Sequence, residues 1–229
     1  MKLVAIGAAA AAALAQLGPS GAAAPAVRSI VLVDKPFRCE QYAQPLAFEL
    51  VKVTLTPSYG GSVDDAVNLN RGECTGRVGR IEVDTWIGDG VKIGENTHDL
   101  VVESGYVVCH DRVPGKHQDG VQALGGLRVT FRNLHVYCAT ANNASFFATA
   151  GAGGADLPTE GDWPTDVTCD NCQLDGGPHT LFLGKSIRSG IRNSLVHAGK
   201  YRAIRIGEAV DPVVENVVEL PCGSNCPDG

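Results

Sequence analysis

The stretch His117–Gly126, HQDGVQALGG, places a histidine two residues before an aspartate and a glutamine three residues after it. A histidine oriented by a neighbouring carboxylate titrates near neutrality, so His117 and Asp119 have the composition of a proton-transfer pair. The same spacing occurs one stretch earlier, where Asp89 precedes Lys92 by three residues in DGVKI. Gln122 and Lys92 bring amide and ammonium donors, the groups that recognise sugar hydroxyls and carboxylates. Lys116 adds a cation directly before His117.

These residues sit on a repeat. Asp65–Leu69 (DAVNL), Asp89–Ile93 (DGVKI) and Asp119–Ala123 (DGVQA) share one pattern, continued more loosely by Asn143–Phe147, His179–Leu183 and Arg202–Ile206. A second element alternates with it: VTFRNLHV from Val129, VTCDNCQL from Val167, GIRNSLV from Gly190 and VVENVVEL from Val213. Its constant member is asparagine, at Asn133, Asn171, Asn193 and Asn216, with Arg80 and Ser104 in the equivalent place of two earlier copies. The spacing from Asp119 to Asn133, His179 to Asn193 and Arg202 to Asn216 is 14 residues each time. Asn143 to Asn171 is 28, so one copy carries an inserted loop, placed at residues 151–164. Copies recurring every 22 to 30 residues, each too short to bury its own apolar face, must stack as a solenoid. The strands are β-branched and the turns tight. The expected fold is therefore all-β, a right-handed parallel β-helix of about six to seven coils with an asparagine ladder.

The register makes further columns. Residues before the asparagines read Glu103, Arg132, Asp170, Arg192 and Glu215, alternating in sign as a surface charge ladder should. Strand alternation puts Asn68, Lys92, Gln122, Phe146, Phe182 and Arg205 on one outward column, a mixture of amide, base and ring suited to a sugar. At the leading edge stand Asp65, Asp89, Asp119, Asn143, His179 and Arg202. Stacked carboxylates repel unless compensated. Three accounts fit them: a calcium site using Asp89 and Asp119, a carboxylate pair for glycoside hydrolysis, or aspartates that cap their own bends through backbone N–H groups. Cys109 and Cys138 both lie five residues past the asparagine position, which places them side by side as a disulfide. By elimination Cys39 pairs with Cys74 and Cys222 with Cys226. Cys169 and Cys172 fill core positions or bridge the turn, with redox or metal-binding CxxC chemistry as the alternative.

Composition bounds the rest. Lys2, an apolar run from Leu3 to Leu17 and a small-residue exit read as a signal peptide over residues 1–23, and eight cysteines suit an exported chain. Residues 24–229 then form one domain: a cap with the first strands at 24–64, the loop at 151–164 and a tail at 221–229. Without Lys2 the chain has 18 basic and 25 acidic side chains, a formal charge of −7, which argues against nucleic acid and membrane as partners. The oligomeric state is not readable from these features.

From Phe48 to Leu220 the asparagine-bearing rungs and D-G-V strands resemble the secreted β-helix proteins of the pectate-lyase-like superfamily. The resemblance implies a secreted protein that binds or processes acidic polysaccharide. It implies lyase rather than glycosidase chemistry if the chain is an enzyme, with calcium as the metal such lyases use against a uronate carboxylate. The chain carries none of the NTD, DD and GHG motifs, the RxPxxR or the QDTL of the catalytic families, so no catalytic residue is transferred. His117, Asp119 and Lys92 are the residues expected to carry chemistry, and Gln122, Lys116, Phe146, Phe182 and Arg205 those expected to touch substrate. The alternative is a non-catalytic, disulfide-stapled extracellular structural or binding protein.

Overall fold

A computed structural model describes residues 28–61, 65–110, 113–115, 117–139, 141–151 and 157–221. The expected signal peptide, Lys116, Cys222 and Cys226, and parts of the cap, inserted loop and tail lie outside them. Among the described residues the chain is all-β, apart from one 3-10 turn at Cys39–Gln41, and every pairing between strands is parallel. This architecture is compatible with a β-solenoid.

One sheet has seven strands, built in chain order from Phe37–Arg38, Asp65–Asn68, Asp89–Ile93, Val121–Ala123, Ala144–Ala148, His179–Leu183 and Arg202–Ile206. The other has thirteen. Its long strands Leu46–Leu55 and Cys74–Thr85 run side by side, and Arg28–Val33 pairs with the first of them. Beyond Cys74–Thr85 the sheet divides into two columns. One column runs through Thr97–Val102, Leu127–Arg132, Thr165–Asp170, Gly190–Arg192 and Val213–Glu215. The other runs through Gly105–Cys109, Leu134–Tyr137, Gln173–Asp175, Leu195–His197 and Val218–Leu220.

The asparagines stand where these two columns meet. Asn133, Asn171, Asn193 and Asn216 have φ of 46°, 55°, 51° and 50°, the left-handed region that asparagine tolerates better than branched residues. Their amides bond between coils, Asn171 donating to Asn133 Oδ1 at 2.7 Å and Asn216 to Asn193 Oδ1 at 2.9 Å, while Asn193 donates to Asp170 at 2.9 Å. Arg80 does not share this role, because the strand Cys74–Thr85 passes through it unbroken. A second column of bends lies five residues earlier, at Asp99, Arg128, Asp166, Arg188 and Asp211, with φ between 46° and 54°. Here the side chains alternate in sign, and ion pairs join coils: Arg128 to Asp99 at 2.6 Å and Arg188 to Asp166 at 2.9 Å. The expected charge column is also paired, with Arg132 3.1 Å from Glu103 and Arg192 3.3 Å from Asp170.

Between the sheets lies a continuous apolar core, in which Val91, Val121, Phe146 and Leu181 align on consecutive strands and are fully buried. The disulfides Cys39–Cys74, Cys109–Cys138 and Cys169–Cys172 are formed. The last is a local bridge across the Asn171 turn, so these cysteines hold neither metal nor free thiol. Replacing Cys109 and Cys138 together by alanine should cost about 2–4 kcal/mol, through the freedom regained by the unfolded chain. Removing Cys169–Cys172, only three residues apart in sequence, should cost less. Urea unfolding checks both, with a lower midpoint and a denaturant slope that rises as the uncrosslinked unfolded chain exposes more surface.

Candidate functional site

The D-G-V pattern leaves no room for a side chain at its second residue. A side chain at Gly90 would collide with Val107 and the carbonyl of Gly120; one at Gly120 would collide with Val136 and the carbonyl of Ser145. Glycine thus lets successive coils stack closely at this point. On three strands the aspartate also meets the side chain three residues on. Asn68 donates to Asp65 Oδ2 at 2.7 Å, Lys92 Nζ lies 3.4 Å from Asp89 Oδ2, and Gln122 donates to Asp119 Oδ2 at 3.2 Å.

The aspartates also tie coil to coil. Asp89 Oδ1 accepts the backbone N–H of Asp119 at 2.8 Å, and Asp119 Oδ1 accepts those of Asn143 at 2.8 Å and Ala144 at 3.2 Å. Each carboxylate therefore completes the bend of the following coil rather than its own. Lys92 spans two coils, its ammonium also 3.3 Å from Asp65 Oδ1.

His117 rests on this cluster. Its Nδ1 is 3.1 Å from Asp89 Oδ1, its Nε2 is 3.1 Å from Asn143 Nδ2 and 3.6 Å from Asp119 Oδ2, and 45% of its side chain is exposed. The aspartates beneath are buried. Of the cluster, His117 is thus the titratable group most open to a solvent-borne ligand. Gln122 is 5% exposed, and its carbonyl oxygen is buried without a donor. His110 stands apart, stacked on Trp86 at 3.8 Å and 3.2 Å from Asp84.

Electrostatics follow from burial. Burial raises the Asp65 carboxyl to about 6, with Lys92 opposing and Asp89 reinforcing the shift. Burial likewise raises Asp119, helped by Asp89 and opposed by the bonds from Asn143. The hydrogen bond to Asp89 raises His117 above its ordinary value, against the cost of partial burial. Burial alone would lower Lys92, but the charges of Asp65 and Asp89 outweigh it and its value rises.

The folded state therefore holds protons that the unfolded chain gives up, and stability should fall as pH rises. For Asp65 the window runs from its ordinary 3.8 to about 6. For His117 the stabilisation is complete below its ordinary 6.5 and is lost as pH climbs through the raised folded value. Urea midpoints between about pH 4 and pH 8 should decline, with the acidic part of the decline reduced by Asp65→Asn and the upper part by His117→Gln.

Asp89, His117 and Asp119 each present one ligand atom, all within 4.8 Å of one another. Calcium takes about six to eight oxygens. Here two carboxylates and one imidazole converge, the carboxylate oxygens already accept from His117, Lys92, Gln122, Asn143 and backbone N–H groups, and Lys92 supplies a resident cation. This donor set does not fit calcium.

The structure joins five of the expected site residues: Asp89, Lys92, His117, Asp119 and Gln122. To these it adds Asp65, Asn68 and Asn143. Phe146 is not among them. It pairs with Val121 and lies in the core, while Phe147 takes the outward place beside Gln122. Phe182 and Arg205 lie further along the same column, where the Arg205 guanidinium sits 4.7 Å from the Phe182 ring and Phe147 stacks on Phe182 at 5.1 Å. His179, which sequence reasoning placed in the aspartate column, bonds Arg205 through Nε2 at 3.3 Å and packs 5.7 Å from the exposed ring of Tyr201. The outward face thus has a carboxylate-rich end with an open imidazole and a cationic, aromatic end.

No family model, no curated protein and no solved structure matches the chain.

Proposed function

We propose that this chain is an exported right-handed β-helix of the pectate-lyase-like kind, with an asparagine ladder through about six to seven coils, and that the outer face of its seven-stranded sheet binds and processes an acidic polysaccharide. The observation that carries the reading is His117, a half-exposed imidazole tethered through Nδ1 to buried Asp89, on the same face as the Arg205–Phe182 pair. Charge assigns the two ends of a ligand. Asp65, Asp89 and Asp119 outnumber Lys92, so this end suits hydroxyls and takes a carboxylate only against the Lys92 ammonium. Arg205, Arg202 and the exposed Tyr201 suit uronate carboxylates and ring faces. The ends are three strand spacings apart, roughly 14 Å, a length that several sugar units would span.

In an elimination, a base removes the proton on the carbon next to the carboxylate and the glycosidic oxygen leaves. In this reading deprotonated His117, held by Asp89, is the base, Lys92 faces the carboxylate of the sugar being cleaved, and the departing oxygen takes its proton from water. Lys92, whose ammonium is favoured by two carboxylates, acts as a fixed charge rather than a proton acceptor. A second reading, a non-catalytic disulfide-stapled extracellular protein, draws on the capping role of Asp89 and Asp119, which explains them without chemistry. Three disulfides among the described residues fit an oxidising compartment, and no helix there is long and apolar enough to cross a membrane.

Incubation with a panel of polyuronates, followed by ultraviolet absorbance of unsaturated product, tests the catalytic reading. Product should form on at least one, and His117→Gln should lower its rate at least 100-fold, the span of a lost general base. Binding without product, indifferent to His117→Gln, would establish the second reading.

A further inference from the structure

The exposed large apolar side chains are not scattered. Apart from Leu157, those among the described residues lie on the first strand, Arg28–Val33, or at the far end, from Leu195 to Val218. Val31 and Val33 are 63% and 64% exposed on the first strand, and Tyr201, Ile206, Val214 and Val218 are exposed on the last three strands or beside them. Among the described residues both sets border backbone without a neighbour: Arg28–Val33 pairs only with Leu46–Leu55, and Arg202–Ile206, Val213–Glu215 and Val218–Leu220 each pair on one side only. Unpaired parallel edges with exposed valines are templates for another strand.

The two edges differ in charge. The far edge ends its cross-coil ladders on acids, Asp211 in the bend column and Glu215 in the charge column, while Glu219 stands opposite buried Val196 where earlier coils carry valine or leucine. In each ladder the sign alternates, so the next rung calls for a base. The near edge offers Arg28 at the start of its strand, with Asp34 and Lys35 directly after it. All pairings being parallel, the far edge of one molecule and the near edge of another have the same strand direction for continued pairing.

We infer that this protein associates head to tail, the open edge at Val213–Leu220 of one copy receiving the edge strand Arg28–Val33 of a second. Such a contact uses two different surfaces and does not close on itself, so it propagates. The receiving edge at Val213–Leu220 includes none of His117, Asp89, Lys92 or Arg205, although the strand Arg202–Ile206, which carries the ligand-binding Arg205 of that reading, lies at the same end of the molecule.

Sedimentation velocity of the purified chain over a wide concentration range tests it. The mass should grow beyond the dimer as concentration rises and fall back as salt screens the charged contact. Val31→Lys and Val218→Lys, at exposed positions, should each be monomeric with unchanged far-ultraviolet circular dichroism. An equimolar mixture of the two variants, one with a free far edge and the other with a free near edge, should form a heterodimer and stop there. A wild-type chain that stays monomeric throughout, a species that stops at a symmetric dimer, or a variant mixture that fails to pair would each overturn the proposal.

Discussion

Phe146→Ala should destabilise the protein by about 3–5 kcal/mol, the range for deleting a fully buried ring. Phe146 is 0% exposed, packs edge-on against Phe131 at 6.4 Å and stands between Val121 and Leu181 on neighbouring strands. Coils above and below are held by backbone pairing and cannot collapse into the space left behind, so the cavity persists. Phe182→Ala, on the partly exposed outer column, should cost about 1 kcal/mol or less. Its effect should fall on ligand affinity instead, because its ring carries the Arg205 guanidinium. Urea unfolding of the two variants side by side measures the difference. A cost at Phe146 as small as that expected at Phe182 would mean that the strand Ala144–Ala148 is paired one residue out of step, which would exchange its inner and outer faces.

Asp119→Ala should be nearly as damaging, at roughly 2–5 kcal/mol, because it leaves the N–H groups of Asn143 and Ala144 buried without an acceptor. Asp119→Asn should fall between this variant and wild type. One amide oxygen can keep the two N–H groups, but the amide nitrogen then faces the donors of Gln122 and Asn143. His117→Ala should cost about 1 kcal/mol or less, since Asp89 keeps its bonds to Asp119 N–H and Lys92. The contrast separates architecture from chemistry. A stable Asp119→Ala beside a destabilised His117→Ala would reverse the roles of the two residues.

Much of the fold was legible because its repeat is written in residue types with a physical reason. Asparagines mark left-handed bends, glycines mark places where stacked coils leave no room for a side chain, and Cys109 and Cys138 fall at one position of consecutive copies. The second column of bends was not legible. It alternates Asp99, Asp166 and Asp211, which tolerate positive φ, with Arg128 and Arg188, which do not signal it, and cross-coil ion pairs accompany the conformation. The register of Phe146 was lost at the copy carrying the inserted loop. The repeat aligns Asn143 with Asp119, yet Ala144 pairs with His179 and Asn143 precedes the strand, where its side chain and N–H reach back to Asp119. Within the site, the aspartate column and His117 were visible in the sequence. The joining of Asp to Asn, Lys or Gln three residues on was not, because strict alternation would separate them, yet the contact forms even in Asp65–Asn68, where alanine stands in place of glycine.

Recognition of an acidic polysaccharide is tested most directly by migration of the wild-type protein, Arg205→Ala and His117→Gln through gels containing an acidic or a neutral polysaccharide. Wild type and His117→Gln should be retarded by at least one acidic polymer and not by the neutral one, and Arg205→Ala should be retarded less. Equal mobility of all three proteins in acidic and neutral gels would contradict it.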